Sequence, residues 1–452
     1  MDLLRRWMVR HFGFPLHQRL THRDVAGALA RLEKSQWWPP ERLKEWKEKE
    51  IRRLLLHASR HVPYYRDLFT SLNLDPEKAA GVDWDRIPLL SKKTVREEFD
   101  RLQATDRKRL SITGQTSGST GNPVTWRVDR WAESVQWAVH LRGRSWWKLR
   151  LGDPHVMLWG RDASQGRRKE LRDLWVWNKR VLPVIQLSEE NVEPAYRQLR
   201  KWRPSYLRGY PSVLVLFGQL CQARGLPLDK LSLRGVVTTA ETLRPDQRAR
   251  IRAAYGCPVI NEYGCTEVQC IAFECPEGSM HIQSDAVRVE FMRDGRPVRA
   301  GEIGEIVVTD LANETMPVIR YQTGDLGRPK EGQCPCGRML PRMELAIGRA
   351  AEIITLPDGR TFHSEVFTPS HDSILFSLVH QFRVLHEAPA RFRVQVVVPQ
   401  ESFVTVEREF IQWIRQQLGD GLEVVVERVE TIPRTSSGKQ PYFISCLPER
   451  HD

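Results

Sequence analysis

The sequence predicts an α/β protein: a large N-terminal part with helices packed on β-sheets, a small β-barrel-like part near its end, and a small α+β C-terminal domain. Three observations lead there. Between residues 150 and 265 short apolar runs alternate with amphipathic segments, the rhythm of strand-helix-strand units and a parallel sheet. From residue 284 the pattern changes to short β runs punctuated by Gly or Asn. The remaining residues, on the order of a hundred, carry a hairpin, a helix and a strand of their own, enough for a small domain.

Residues 1–110 read as mostly helical. In ERLKEWKEKEIRRLLLHASRHV the apolar Leu43, Trp46, Ile51, Leu54 and Leu55 recur at helical spacing, and Pro63 breaks the run. The opening MDLLRRWMVRHFGFPL can place Leu3, Leu4, Trp7, Met8 and Phe12 on one helical face, with Arg5, Arg6 and Arg10 elsewhere. Packing of that face on the protein's own core is the favoured expectation, and an interfacial or partner-docking helix the other. Further on, VDRWAESVQWAVHLRGRSWW reads as a helix and PHVMLWG as a buried strand. PAYRQLRKW, VLVLFGQLCQARG and PDQRARIRAAYG read as helices between the strands YLRGYPS, LRGVVTTAE and PVINEYG. AVRVEFM, GEIVVTDL and MPVIRYQTGD supply the barrel-like strands of 284–347. HQFRVLHEAPARFRVQVVV, VEREFIQWIRQQLG and LEVVVERV build the small domain of 348–452.

The 452 residues, 41% hydrophobic and 28% charged, suit a globular chain with large cores. No apolar run reaches the ~20 residues of a membrane span and no signal-peptide pattern follows the start, so a cytoplasmic location is expected. The net charge of +13 is scattered apart from Arg107–Arg109 and Arg167–Lys169. That dispersal argues against nucleic-acid binding and leaves phosphorylated ligands or anionic lipid as partners. The eight cysteines are unevenly spaced and suggest no disulfide framework. Cys221, Cys257 and Cys446 read as buried small hydrophobes.

Chemistry concentrates in five stretches. From Thr113 to Gly121 every position but Gln115 is Gly, Ser or Thr, and a turn follows at Asn122-Pro123. Small residues let main-chain N–H groups approach an anion, and hydroxyls add donors, so phosphate is the expected ligand. The loop is not a Walker motif, because no Gly-Lys-Ser/Thr follows it. NEYGCTEV ends a predicted strand with Thr266 and Glu267 exposed, a hydroxyl donor beside a carboxylate suited to Mg²⁺. In YQTGDLG, Asp325 has two oxygens for the two hydroxyls of a ribose. IGRAAEII places Arg349 at the domain junction, and IPRTSSGKQ places Lys439 in a glycine-flanked loop able to bring its ammonium to an oxyanion.

In this order and at these separations, the stretches resemble the adenylate-forming superfamily of acyl-CoA synthetases, peptide-synthetase adenylation domains and luciferases. Within it HVPYYRDLF, TSGSTGNP and CPCGRMLPRME are similar to the phenylacetate-CoA ligase family. The likeness extends to its branch in capsular polysaccharide biosynthesis and to the deazaflavin-cofactor adenylylating synthetases. The resemblance implies a large AMP-binding domain over 1–347 and a small mobile lid over 348–452. It implies that Thr116, Ser117, Gly118, Ser119, Thr120 and Gly121 wrap the ATP phosphates. Ala240 and Glu241, with Asn261, Glu262 and Tyr263, would frame adenine; Thr266 would touch the α-phosphate and Glu267 the Mg²⁺. Asp325 would grip the ribose, Arg349 would sit by ribose and phosphate, and Lys439 would bridge carboxylate and α-phosphate. Two departures stand out. Asn122 occupies a position where many relatives have Lys, so Mg²⁺ or Arg127 would have to substitute, and Ala350-Ala351-Glu352 blurs the hinge.

Cys275, His281, Cys334 and Cys336 form a Cys₃His set suited to a structural tetrahedral zinc, with free thiols as the alternative. Cys265 and Cys270 flank it, and Cys265 is expected to line the substrate pocket. The related branch often carries such a site. The implied activity is carboxylate activation as an acyl-adenylate, then transfer to CoA, a carrier-protein thiol or another acceptor, in capsular or exopolysaccharide biosynthesis. Trp159 and Tyr210 hint at an aromatic pocket for a small-molecule carboxylate. The rivals are an adenylyltransferase that leaves AMP on a non-carboxylate acceptor and a non-catalytic nucleotide-binding scaffold. A homodimer and peripheral association with a membrane or a polysaccharide assembly stay open.

Overall fold

The structure is a computed structural model. It describes residues 2–81, 83–106, 110–115, 124–159, 166–183, 192–349, 353–358, 361–363, 367, 375, 378–379, 381–419, 421–433 and 440–447. The helical start expected for 1–110 is present. Proline opens Pro40–His61 and Pro63–Ser71, where its missing N–H costs nothing, and the first of these helices buries Leu43, Ile51, Leu54 and Leu55.

The first strands, β1 (Ser111–Gln115) and β2 (Thr125–Asp129), pair antiparallel with Gln115 opposite Thr125, so the glycine-rich stretch connects two paired strands. Asp129 ends β2 and caps the helix Arg130–Ser145, its carboxylate accepting the Ala132 N–H at 2.9 Å.

Five parallel strands follow: β3 (His155–Trp159), β4 (Lys179–Pro183), β5 (Tyr206–Gly209), β6 (Gly235–Thr238) and β7 (Val259–Cys265), in the order β4-β3-β5-β6-β7. The order reverses beside β3, so right-handed crossovers put the helix Gly166–Trp177 on one face and Val192–Trp202, Pro211–Ala223 and Pro245–Tyr255 on the other. The cores agree. Val192, Leu199, Phe217 and Ile251 pack with Leu158, Leu207 and Val236 in one cluster, whereas Val176 joins Val135, Val139, Val237 and Ile260 in another.

Strand β7 is where the sheet changes character. Its first half pairs parallel with β6, and Glu262–Cys265 pair antiparallel with β8 (Gln269–Glu274). Beyond it come β9 (Met280–Ile282), β10 (Val287–Arg293), β11 (Arg296–Pro297), β12 (Gly304–Asp310), β13 (Tyr321–Lys330) and β14 (Arg342–Arg349), giving the order β11-β10-β12-β13-β14-β9-β8-β7. The barrel expected over 284–347 is not confirmed. Those strands extend the same sheet through β9 and β14, and no closing pair occurs among the described residues. MPVIRYQTGD is strand only from Tyr321 on, the preceding Met316, Val318 and Ile319 being buried without strand pairing.

The C-terminal residues build their own core. β17 (Gln381–Ala388) and β18 (Arg391–Val397) form the expected hairpin, flanked by β19 (Glu423–Arg428) and β20 (Phe443–Ser445), while β15 (Ile353–Thr355) pairs with β16 (Thr361–His363). The helix Phe403–Leu418 turns Val406, Phe410, Ile414 and Leu418 inward at four-residue spacing onto that sheet.

Two burial expectations are corrected. Cys446 is exposed, unlike Cys221 and Cys257, because it lies just past β20. In the N-terminal helix Leu3, Leu4, Trp7 and Phe12 face outward instead of packing on the core. The reason is that Arg5, Arg6 and Arg10 take the inner side and find acceptors there.

Candidate active site

The β7–β8 turn presents the first motif. A Cβ on Gly264 would fall 1.7 Å from the Gln269 carbonyl oxygen, so the turn closes only with glycine there, and Gln269 itself adopts φ 65°. Thr266 stands exposed at the tip, its carbonyl held by Gln269 Nε2 at 3.0 Å. Glu267, expected on the surface, is instead buried. Its Oε1 accepts the Tyr321 hydroxyl at 2.5 Å. Burial, with the Glu267 charge adding, pushes the Tyr321 phenol well above its ordinary range, which keeps it the donor.

The second motif meets the first directly. Tyr263 donates to Asp325 Oδ2 at 3.1 Å. β13 and β7 stand four places apart in the sheet, about 19 Å if it were flat, so this contact requires the sheet to curl and bring its antiparallel end over β7. Gly324, at φ 79°, makes the bend before Asp325. The Lys92 ammonium donates to the Thr323 carbonyl at 2.9 Å, which ties the N-terminal helical part to this bend. Arg349 lies opposite Asp325 in the β13–β14 ladder.

Thr238 pairs with Asn261, so Ala240 and Glu241, just beyond the end of β6, fall next to the end of β7. Ala240 holds φ 67°, a left-handed conformation unusual for a residue with a Cβ and one that recurs at functional sites. Glu241 Oε1 accepts from the Ser212 hydroxyl at 3.0 Å and from the Gln440 N–H at 2.8 Å. The residue following Lys439 is thereby tied to the segment just beyond β6. Thr242, Asn261, Arg248 and Glu274 line a cavity of ≈ 270 Å³ beside these strand ends.

Glu262 does not join Asn261 and Tyr263. Successive strand residues face opposite sides, and Glu262 turns to the buried helix side. There it accepts from Arg208 at 2.5 Å and meets His140 at 3.3 Å and Arg144 at 3.8 Å. Burial opposes its charge, yet Arg208 and then His140 hold its carboxyl well below the usual range. His140, Arg144 and Arg208 escaped the sequence reading, since they sit on separate elements with no local signal. Tyr321 was visible inside YQTGDLG but had no role without its distant partner. Arg127, offered beside Mg²⁺ as a substitute for a missing lysine, spends its guanidinium on Gln103 at 2.6 Å and Ser111 at 2.9 Å. Thr116, Ser117, Gly118, Ser119, Thr120, Gly121, Asn122, Ala350, Ala351, Glu352 and Lys439 lie outside the described residues.

At the carboxyl ends of β3 and β5, where the strand order reverses, Trp159 and Tyr210 stack with ring centroids 4.3 Å apart. Crevices at such switch points are where open α/β sheets hold ligands.

The cysteine set forms a compact candidate metal centre. The ligand atoms of Cys275, His281, Cys334 and Cys336 all lie within 4.8 Å of one another. Cys275 and Cys334 sulfurs are 3.7 Å apart, and Cys336 sulfur is 3.3 Å from His281 Nε2. With Zn–S bonds of about 2.3 Å and Zn–N of about 2.0 Å, the edges of a tetrahedron have that length. His281 Nδ1 engages the Leu340 carbonyl at 3.0 Å, the contact that turns Nε2 toward the cysteine sulfurs, where it would bind a metal. Burial lowers the His281 pKa to about 4 and raises that of the Cys275 thiol to about 12. Cys270 is buried near Ala272 and stands apart from the set, and Cys265 sits half-buried beside Glu267.

No family profile matches the chain. It is 27% identical over 343 residues to the phenylacetate-coenzyme A ligase of Thermus thermophilus, covering 73% of this chain and 75% of the relative. It is 27% identical to the enzyme of the same name from Escherichia coli, with 69% and 72% covered. Protein CapK of Staphylococcus aureus is 24% identical, with 60% and 59% covered. Among solved structures, a 2-hydroxyisobutyryl-CoA ligase in a postadenylation state superposes with a TM-score of 0.75 at 19% identity, covering 90% of each chain. The same ligase with its acyl-AMP and CoA superposes with a TM-score of 0.59 at 18% identity, covering 91% and 93%.

Proposed function

Because the chain belongs to the phenylacetate-CoA ligase family of adenylate-forming enzymes, we propose that it activates a small organic carboxylate with ATP. The products are an acyl-adenylate and pyrophosphate, and coenzyme A is the acceptor that follows. One observation carries the reading. Hydrogen bonds Tyr263–Asp325 and Tyr321–Glu267 join two motifs distant in sequence into one cluster at the strand ends.

In the reaction a carboxylate oxygen attacks the α-phosphorus of ATP, a P–O bond forms, and the bond to the bridging oxygen breaks as pyrophosphate leaves. Both reactants are anions, so the work is charge neutralisation and alignment. The glycine-rich residues 116–121 would supply amide donors to the phosphates, and Thr266, exposed at its turn, a hydroxyl to the α-phosphate. Ala240, Glu241, Asn261 and Tyr263 would border the adenine, with the backbone of Glu262. Asp325 would accept the ribose hydroxyls while Tyr263 fixes its orientation, and Arg349 would flank the ribose from the adjoining strand. Tyr321 holds one oxygen of Glu267, and the carboxylate so oriented would bind a divalent cation; Mg²⁺ there would offset phosphate charge. Lys439 would sit between carboxylate and α-phosphate. Trp159 and Tyr210 would form the floor under an apolar acyl group. After adenylation the domain beyond residue 348 would rotate and expose the intermediate to the thiol.

A structural zinc on Cys275, His281, Cys334 and Cys336 is part of the proposal. With four protein ligands it would pin the β8–β9 turn to the β13–β14 connection. The cytoplasm, which holds ATP and CoA, is the proposed location; no described helix is long and apolar enough to cross a membrane. A role in capsular or exopolysaccharide biosynthesis is supported by the likeness to Protein CapK alone. Pyrophosphate release across a panel of carboxylic acids, with product analysis by mass spectrometry, tests the reading. Acyl-AMP and acyl-CoA are the expected products. AMP attached to a hydroxyl acceptor would replace it with nucleotidyl transfer, and no release with any acid would reduce the protein to a nucleotide-binding scaffold.

A further inference from the structure

The N-terminal helix is mounted inside out. Residues 2–20 run as one continuous helix through a wide turn at Val9–Gly13. On an ordinary surface helix the apolar stripe faces the protein and the charges face water. Here Arg6 donates to Ser205 at 3.1 Å, and Arg10 donates to the Leu151 carbonyl at 2.6 Å and pairs with Asp153. The Arg5 guanidinium lies 3.8 Å over the Trp202 ring. The outward face carries Leu3 (81% exposed), Leu4, Trp7, Phe12, Leu16 and Leu20 (71%), and Trp7 and Phe12 touch each other instead of the core.

The patch continues onto a second element. A Cβ on Gly13 would fall 2.0 Å from the Trp175 carbonyl oxygen, so the helix Gly166–Trp177 passes in close contact, and its exposed Leu171 and Trp175 adjoin the patch. A contiguous apolar surface of this kind marks an interaction site. The charge around it is mostly positive. No Asp or Glu occurs between Asp2 and Asp24, and that interval holds Arg19 and His11, both exposed, besides the docked arginines. On the adjoining helix Arg168 and Arg172 are exposed, with Glu170 as the one exposed carboxylate among its described side chains.

We propose that this face docks the protein on an anionic lipid bilayer. The leucines and tryptophans would enter the headgroup boundary while Arg19, Arg168 and Arg172 meet lipid phosphates, and no span is involved. The charge complementarity selects lipid over a second copy of the chain, because pairing two such faces would oppose two basic rims. The inference does not depend on the proposed activity.

The test uses the full-length protein in vesicle flotation, with phosphatidylcholine alone and with phosphatidylcholine plus phosphatidylglycerol. Binding is expected to the anionic vesicles and to fall with added salt. The variant Leu3→Ser/Trp7→Ser/Phe12→Ser is expected to bind at least about tenfold more weakly, and Arg168→Gln/Arg172→Gln about fivefold or more. All these side chains are exposed or outside the proposed catalytic cluster, so pyrophosphate release stays at the level of the unaltered protein. Should the triple variant fail to fold, Trp7→Ser alone serves in the same assay. Absence of binding, binding that the serine variants leave unchanged, or a solution dimer that they dissociate would each overturn the proposal.

Discussion

Tyr321 hands its hydroxyl hydrogen to the buried Glu267 carboxylate across 2.5 Å, and 54 residues of chain separate the two. Under the proposed function this bond would orient the carboxylate toward a cation, which would make Tyr321 a positioning residue. Tyr321→Phe removes one hydrogen bond to a charged group, a loss of about 1.5–3 kcal/mol, or roughly tenfold or more in the adenylation rate. Added Mg²⁺ is expected to restore part of that rate. Glu267→Gln is expected to lose about 10²-fold or more, by analogy with removal of a preorganised charge-stabilising group, and not to be rescued by the metal. ATP–pyrophosphate exchange at several Mg²⁺ concentrations measures both, and equal rescue of the two variants would contradict the assignment.

The Tyr263–Asp325 bond predicts a different signature. Tyr263→Phe removes one hydrogen bond that orients the Asp325 carboxylate, which would accept the ribose hydroxyls, so the apparent KM for ATP is expected to rise about fivefold, the equivalent of one ordinary hydrogen bond, with kcat little changed. Steady-state kinetics with varied ATP provides the check; a fall in kcat at constant KM would place Tyr263 in the chemistry itself.

At the cysteine centre, protein purified without chelators is expected to carry about one zinc per chain by elemental analysis. Cys334→Ser is expected to lower that content and the melting temperature together, because metal binding and folding are linked. Zinc-free protein with an unchanged melting temperature in the variant would leave the set as thiols.

Asp310 gives a pH prediction. Burial pushes its carboxyl up to about 6, against the N–H of Ala312. A folded pKa raised above the unfolded value means that the group favours folding below the unfolded value of 3.8. That contribution is lost as pH rises through about 6, up to about 3 kcal/mol by linkage. Asp310→Asn is therefore expected to gain stability relative to the unaltered protein across this window, read from urea midpoints at pH 4 and 7. A constant difference across that range would sink the argument.

Much of this was legible in the sequence, for identifiable reasons. Alternating apolar runs and capped helices located β3, β5, β6 and β7 because each is a local signal, and Gly256 ended its helix with φ 62° as a C-cap glycine does. The β1 strand was hidden because Ser111–Gln115 is polar and small, and only pairing with β2 makes it a strand. How the strands of 284–347 join was not legible for a related reason: strand periodicity reports a half-buried strand and says nothing of which edge it joins. Glu262 was grouped with its neighbours by a linear motif, whereas alternation on a strand sends it to the other face. The N-terminal helix shows the limit of amphipathic patterns. They report two faces but not which one the protein keeps, and here Asp153 and Trp202, far along the chain, decide.

We propose that a nucleoside triphosphate and an organic acid react in this site with Lys439 between them. The direct measurement is ATP–pyrophosphate exchange with an active acid, comparing the unaltered protein with Lys439→Ala. Exchange that requires the acid and falls about 10²-fold or more in the variant, with ATP binding nearly retained, is the result expected. Exchange without any acid, or equal exchange by both proteins, would contradict it.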